Sequence, residues 1–212
     1  MNRFLITAVT LLAVFALAAC SDDVTGPQTD DATFSAAAGI DTELKPGPMT
    51  IAEIAEMEGF TLLLAAVTYI AEDNPESGLI AGLLNDDQYT VFAPTDAAFE
   101  ALVGAVAGLV DPEILENEGP FAAIDDLLGE GTIEAVVSYH VAEGRRSSKS
   151  VLPRMGERNI NTLLDGATFS VDYEGKITAV GSSAMIAPAD VSASNGIIHV
   201  IDTVLLPIDL GL

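Results

Sequence analysis

The chain has 212 residues, half of them hydrophobic and 19% charged, which is too apolar for a disordered protein and a length that suits one compact domain. Its 32 acidic residues against 8 basic ones give a formal net charge of -24, which excludes attraction to a nucleic-acid backbone. The single cysteine forbids an internal disulfide, and with only two histidines it leaves too few ligands for an ordinary zinc site, so no metal or cofactor is expected.

In chain order, Asn2 and Arg3 precede an apolar run from Phe4 to Ala19, which reads as an export signal over residues 1–19. The run is shorter than the roughly 20 residues a membrane-spanning helix needs, and no cluster of positive charge follows it. Its end, Leu17-Ala18-Ala19-Cys20, resembles the bacterial lipobox, in which the cysteine is lipidated and becomes the new N-terminus. That resemblance implies attachment to a membrane through Cys20. Ser21 stands where an Asp favours inner-membrane retention in Gram-negative bacteria, so the outer membrane is expected. From Cys20 to Gly47 small residues, acids, glycines and prolines follow without an apolar period, as in a flexible acidic linker, and residues 48–212 form the domain.

Thr50 with Glu53 makes a capping-box pattern, so a helix starts there, breaks near Gly59 and resumes from Thr61. Ser77 to Leu84 reads as a further short helix and Tyr89 to Phe92 as a strand ended by Pro94. Thr95 and Asp96 begin the helix that carries Phe99, Leu102 and Val103. Asp111-Pro112 opens another helix, Gly119-Pro120 breaks the chain before Phe121 to Leu128, and Thr132 caps a helix that leads through Tyr139 and His140 to Val141. Short β-branched segments follow at Asn161 to Leu164, Thr168 to Tyr173, Ile177 to Val180 and Met185 to Ala187, with a turn at Glu174-Gly175. Asn195-Gly196 signals a turn before a closing strand from Ile197 to Leu206 whose two faces are both largely apolar, as in a central strand covered on each side. Helices fill the first half and strands the second, without internal repeat or alternation, so the class is α+β in one domain.

The segment Tyr89-Thr90-Val91-Phe92-Ala93-Pro94-Thr95-Asp96-Ala97-Ala98-Phe99 resembles the first signature of the fasciclin domain. The segment from Asn195-Gly196-Ile197-Ile198-His199 to Leu206-Pro207 resembles its second, and a Tyr-His pair, Tyr139 and His140, lies between them as in the family. The resemblance covers about Gly47 to Ile208 and implies a wedge of β-strands flanked by helices.

Histidine titrates near neutrality, which makes His140 and His199 the first candidates for proton chemistry. Each lies in a structural signature, where a packed and hydrogen-bonded ring that holds the loop after the helix or the end strand is the first expectation. No Gly-x-Ser-x-Gly elbow, phosphate loop, His-Glu-x-x-His motif or EF-hand spacing occurs. In animal fasciclin domains the Tyr-His region is implicated in integrin-mediated adhesion, and the resemblance implies Tyr139 and His140 as partner contacts. Arg145, Arg146, Lys149, Arg154 and Arg158 place five of the eight basic residues within fourteen positions. Such an island either receives an anion or forms solvated ion pairs with Glu143 and Glu157. An acidic glycan, a lipopolysaccharide phosphate or an acidic face of a second copy, in weak self-association, would fit. The acidic excess permits weak calcium binding, for example at Asp86-Asp87 or Asp125-Asp126, although adjacent acids on a helix diverge and are not expected to preform a cage. The expectation is a lipid-anchored, non-enzymatic adhesion or interaction module of the cell envelope that binds a protein or glycan. The alternative is a small-ligand carrier or envelope enzyme that uses a groove near His140.

Overall fold

The computed structural model describes residues 45–80, 87–187 and 189–210, so the expected export signal, Cys20 and most of the expected linker lie outside it. Helix α1 (Ile51–Met57) starts at the expected capping box, with the Thr50 hydroxyl accepting from the Glu53 amide and the Glu53 carboxylate accepting from the Thr50 amide. Gly59, at φ 79°, turns the chain into α2 (Thr61–Asp73). Helical structure is present again at residues 78–80, and the remainder of the helix expected up to Leu84 lies outside the described residues.

Strand β1 (Tyr89–Pro94) runs into α3 (Asp96–Val106), whose first turn is capped by Thr95 accepting from the Ala98 amide. Helices α4 (Pro112–Asn117), α5 (Pro120–Leu128) and α6 (Thr132–Tyr139) follow, then β2 (Val141–Glu143) and the single turn α7 (Ser148–Val151). The chain closes with β3 (Glu157–Asn161), β4 (Thr168–Asp172), β5 (Lys176–Thr178), β6 (Ser183–Met185), β7 (Val191–Ala193) and β8 (Gly196–Ile201). The α+β class, with helices first and strands last, is what the sequence predicts.

The strands form two sheets of order β2-β1-β8-β7 and β3-β4-β5-β6. In the first sheet β1 and β8 run parallel, with Val91 opposite Ile198 and Phe92 opposite His199. This pair is buried on both faces, as the closing strand predicts. Val91, Ala93 and Ile198 pack into the helices, while Phe92, Ala142 and Ile201 pack against the second sheet around Ile160, Phe169, Val171 and Ile177. The rings of Phe92 and Phe169 meet edge to face at 5.0 Å. The outer face of the second sheet is polar, with Asn159, Ser170, Thr178 and Ser183 in one row across its four strands.

Several local expectations are corrected. The strand expected at Asn161 to Leu164 lies earlier, at β3, because Ile160 is the one β3 residue that reaches the core and gives the segment almost no apolar pattern. The closing strand stops at Ile201, where the Asp202 carboxylate takes the amide of Met185 instead of the ladder continuing. Thr132 does not cap α6. The N-cap is Gly131, the Thr132 hydroxyl bonds to the Gly129 carbonyl at 2.6 Å, and the Ile133 amide is held at 2.9 Å by the buried carboxylate of Asp125. The last residues assigned to the linker belong to the domain: Gly47 donates to the Ala193 carbonyl at 3.2 Å, and the Lys45 carbonyl accepts from Ser192 Oγ at 2.6 Å.

Gly196 is required for close approach, because a Cβ there would collide with the Tyr89 carbonyl oxygen across the β1–β8 pair. Gly104, within α3, faces open space. Gly196→Ala is therefore expected to destabilise by about 1–3 kcal/mol and Gly104→Ala to stabilise by about 0.5–1 kcal/mol, both read by urea unfolding.

Candidate functional site

Tyr139 ends α6 and His140 follows as its C-cap. The turn from α6 into β2 carries both rings inward, where Tyr139 is fully buried and His140 is 2% exposed. The Tyr139 hydroxyl donates to the Thr168 carbonyl at 2.8 Å, and its ring stands edge to face with Phe169. His140 Nδ1 lies 2.7 Å from the Val136 carbonyl, and Nε2 accepts the Leu205 amide at 2.8 Å. These partners define a neutral ring with its proton on Nδ1. Burial pushes the pKa of His140 down from 6.5 to about 4, against the opposing pull of the Val136 carbonyl. The expectation of Tyr139 and His140 as partner contacts is corrected: both rings are fasteners between the helices, the second sheet and the chain after β8.

His199, on β8, is buried in the same manner with the opposite tautomer. Its Nε2 donates to the Arg146 carbonyl at 2.9 Å and its Nδ1 accepts the Asp190 amide at 3.3 Å. Burial lowers its pKa too, although the Arg146 carbonyl and the Asp190 carboxylate oppose the shift. With both nitrogens engaged, neither ring is free to exchange a proton with a substrate.

The basic island divides into two kinds of residue. Arg145 is a clamp: its guanidinium donates to the carbonyls of Ala193 at 2.8 Å and Gly196 at 2.6 Å, to Ser192 Oγ at 2.5 Å and to the Lys45 carbonyl at 3.3 Å. It ties the incoming chain to the β7–β8 hairpin. Arg146 is half-buried, with Nε on the Glu143 carbonyl at 2.9 Å and its own amide on Thr90 Oγ1 at 2.8 Å. Lys149, Arg154 and Arg158 are exposed.

These three gather with a cation the sequence did not single out. Glu157 pairs with Asp172, which brings the turn before β3 beside the turn after β4. Arg158 Nη1 donates to the Ser150 carbonyl of α7, and Gly175 lies against the Leu152 side chain. Lys149, Arg154, Arg158 and Lys176 thus share one end of the second sheet with Met155, 88% exposed, and Tyr173, 60% exposed. Glu157, Asp172 and Glu174 are interspersed, so four cations meet three carboxylates. The helical half is different in kind: from Pro46 to Gly144 there is no lysine or arginine.

A pocket of about 260 Å³ lies beside His140, walled by α1 and α2 and floored by the first sheet and α6. Ile51, Leu63, Val67, Val91, Val137 and Val141 are among its lining. It occupies the place of the groove expected near His140. Among the described residues no group of three or more His, Cys, Asp or Glu is placed to hold a metal ion, and no helix is long and apolar enough to cross a membrane.

The family model "Fasciclin domain" matches residues 60–207. The chain is 36% identical to Protein sll1483 of Synechocystis sp., over 75% of this chain and 74% of that protein. It is 32% identical to Immunogenic protein MPB70 of Mycobacterium bovis, over 69% of this chain and 63% of the relative. Cell surface glycolipoprotein MPB83 of the same species is 29% identical, over 63% of this chain and 50% of its own length. The chain therefore spans about three quarters of the first relative and less than two thirds of the mycobacterial ones.

The unfolded chain takes up the proton of His140 near pH 6.5 and the folded one only near pH 4, so stability is full above pH 6.5 and is lost as pH falls through that window. Between pH 7 and pH 5 this ring accounts for a loss of about 2 kcal/mol, and His199 adds to it with the same sign. Urea unfolding at both pH values is expected to show that loss and a smaller one in His140→Gln. Equal slopes in the two proteins would contradict a buried neutral ring.

Proposed function

The chain belongs to the fasciclin domain family, and from that premise we propose that it is a lipid-anchored, non-enzymatic adhesion or interaction module of the bacterial cell envelope. Lipidation at Cys20 would hold it to the outer membrane, on the periplasmic or outward side, and the linker that follows would give it reach. The name of one relative, a cell surface glycolipoprotein, supports such a placement.

The observation that carries the reading is the segregation of charge. A surface with no cation from Pro46 to Gly144 repels anionic glycans, phosphates and further copies of itself. The end of the second sheet, with Lys149, Arg154, Arg158 and Lys176 around exposed Met155 and Tyr173, is where an anionic partner meets the least repulsion and finds apolar surface as well. The partner class is an acidic envelope glycan or an acidic protein surface. This moves the contact away from Tyr139 and His140, which are buried, and from Arg145, whose donors hold the β7–β8 hairpin. Weak single contacts multiplied over many tethered copies give adhesion without a high-affinity site.

Binding of the protein to purified envelope polysaccharide, and to intact producer cells, tests the reading. Lys149→Glu with Arg154→Glu is expected to weaken binding at least tenfold at low salt while changing the unfolding free energy by no more than about 0.5 kcal/mol. Wild-type binding is expected to fall as salt rises. Undiminished binding by the folded double variant would remove this end of the sheet as the contact.

A further inference from the structure

The pocket beside His140 has a chemistry that adhesion does not use. Among the described residues its walls are almost wholly carbon, and the two polar side chains that line it, His140 and Thr68, are engaged within the chain. Both nitrogens of His140 have backbone partners, and the Thr68 hydroxyl donates to the Leu64 carbonyl at 2.9 Å. A ligand that carried a polar group inside would lose its hydrogen bonds to water and find no replacement, so only hydrocarbon suits the interior. A volume of about 260 Å³ lies below the range of drug-sized sites and accommodates a chain of roughly ten carbons.

The mouth adds a condition on the head group. Ala52 and Thr68 are exposed there, and Glu56 and Glu72 lie one helical turn beyond them on the same faces of α1 and α2. No lysine or arginine between Pro46 and Gly144 offsets these acids, so a carboxylate or phosphate head would enter a field of its own sign. Thr68 Oγ1, whose proton is already given to Leu64, keeps the capacity to accept from a hydroxyl. We infer that this pocket binds the hydrocarbon chain of an uncharged, hydroxyl-bearing amphiphile of medium length, with the head group at Thr68. The inference stands independently of the adhesive contact, which lies at the end of the second sheet.

The test is an amide NMR titration of the full protein at pH 8 with 1-decanol and, separately, with decanoate. Decanol is expected to give saturable shifts confined to the pocket lining, decanoate at least tenfold weaker binding, and Ala71→Phe, which fills the half-exposed mouth, none of either. Thr68→Phe, at an exposed position, serves the same purpose if Ala71→Phe does not fold. The absence of saturable shifts with decanol, or shifts that persist in the filled variant, would overturn the site. Equal affinity for decanoate would overturn the assignment of an uncharged head.

Discussion

The parallel pairing of β1 with β8 is the constraint on which the rest of the domain depends. It joins segments about a hundred residues apart, so the chain between them must be closed into a large loop before either strand is rewarded with contacts. Once made, the pair is apolar on both faces and needs a cover on each. Helices α1 to α6 supply one and the second sheet supplies the other. His140 and His199 then fasten what the pairing brings near: one reaches from the end of α6 to Leu205, the other from β8 to the loop that bears Arg146. Their usefulness lies in remaining neutral, with one nitrogen giving and the other accepting.

This construction also separates the charges. The helical cover bears only acids and the second sheet with its loops bears the exposed cations, so opposite ends of one small domain present different electrostatic faces. Arg145 gives its donors to several internal acceptors, because the chain from the linker runs alongside β7 and its carbonyls need a donor. The site of recognition in this account is thus set by which cations the fold leaves to solvent, not by which are crowded together in sequence.

What was legible in the sequence was chemistry between near neighbours. Thr50 and Glu53, Thr95 with the Ala98 amide, Asp111 before Pro112 and the Glu174-Gly175 turn all act within a few positions, and each was readable. The two apolar faces of β8 were readable because alternation is a local pattern. The fasteners were not. Asp96 was expected to serve its own helix, yet its carboxylate takes the Leu62 amide at 3.0 Å and the Thr61 hydroxyl, and so begins α2. Partial burial pushes its pKa up, but those hydrogen bonds outweigh it and hold the group below the usual value. Asp125 caps α6 from the preceding helix, and Arg145 finds acceptors some fifty residues onward. Nothing in local spacing announces such partners. For Tyr139 and His140 both a packed ring and a partner contact stayed open for a related reason: the residue types suit a surface as well as a core, and only the turn into β2 decides for the core.

The most direct measurement of the central claim is a hydrogen-exchange footprint of the protein on isolated envelopes, beside the free protein. The account predicts new protection in residues 148–158 and 172–178, with α1 to α5 unchanged. Protection over the acidic helices, with that end of the second sheet left exchanging as in the free protein, would contradict it.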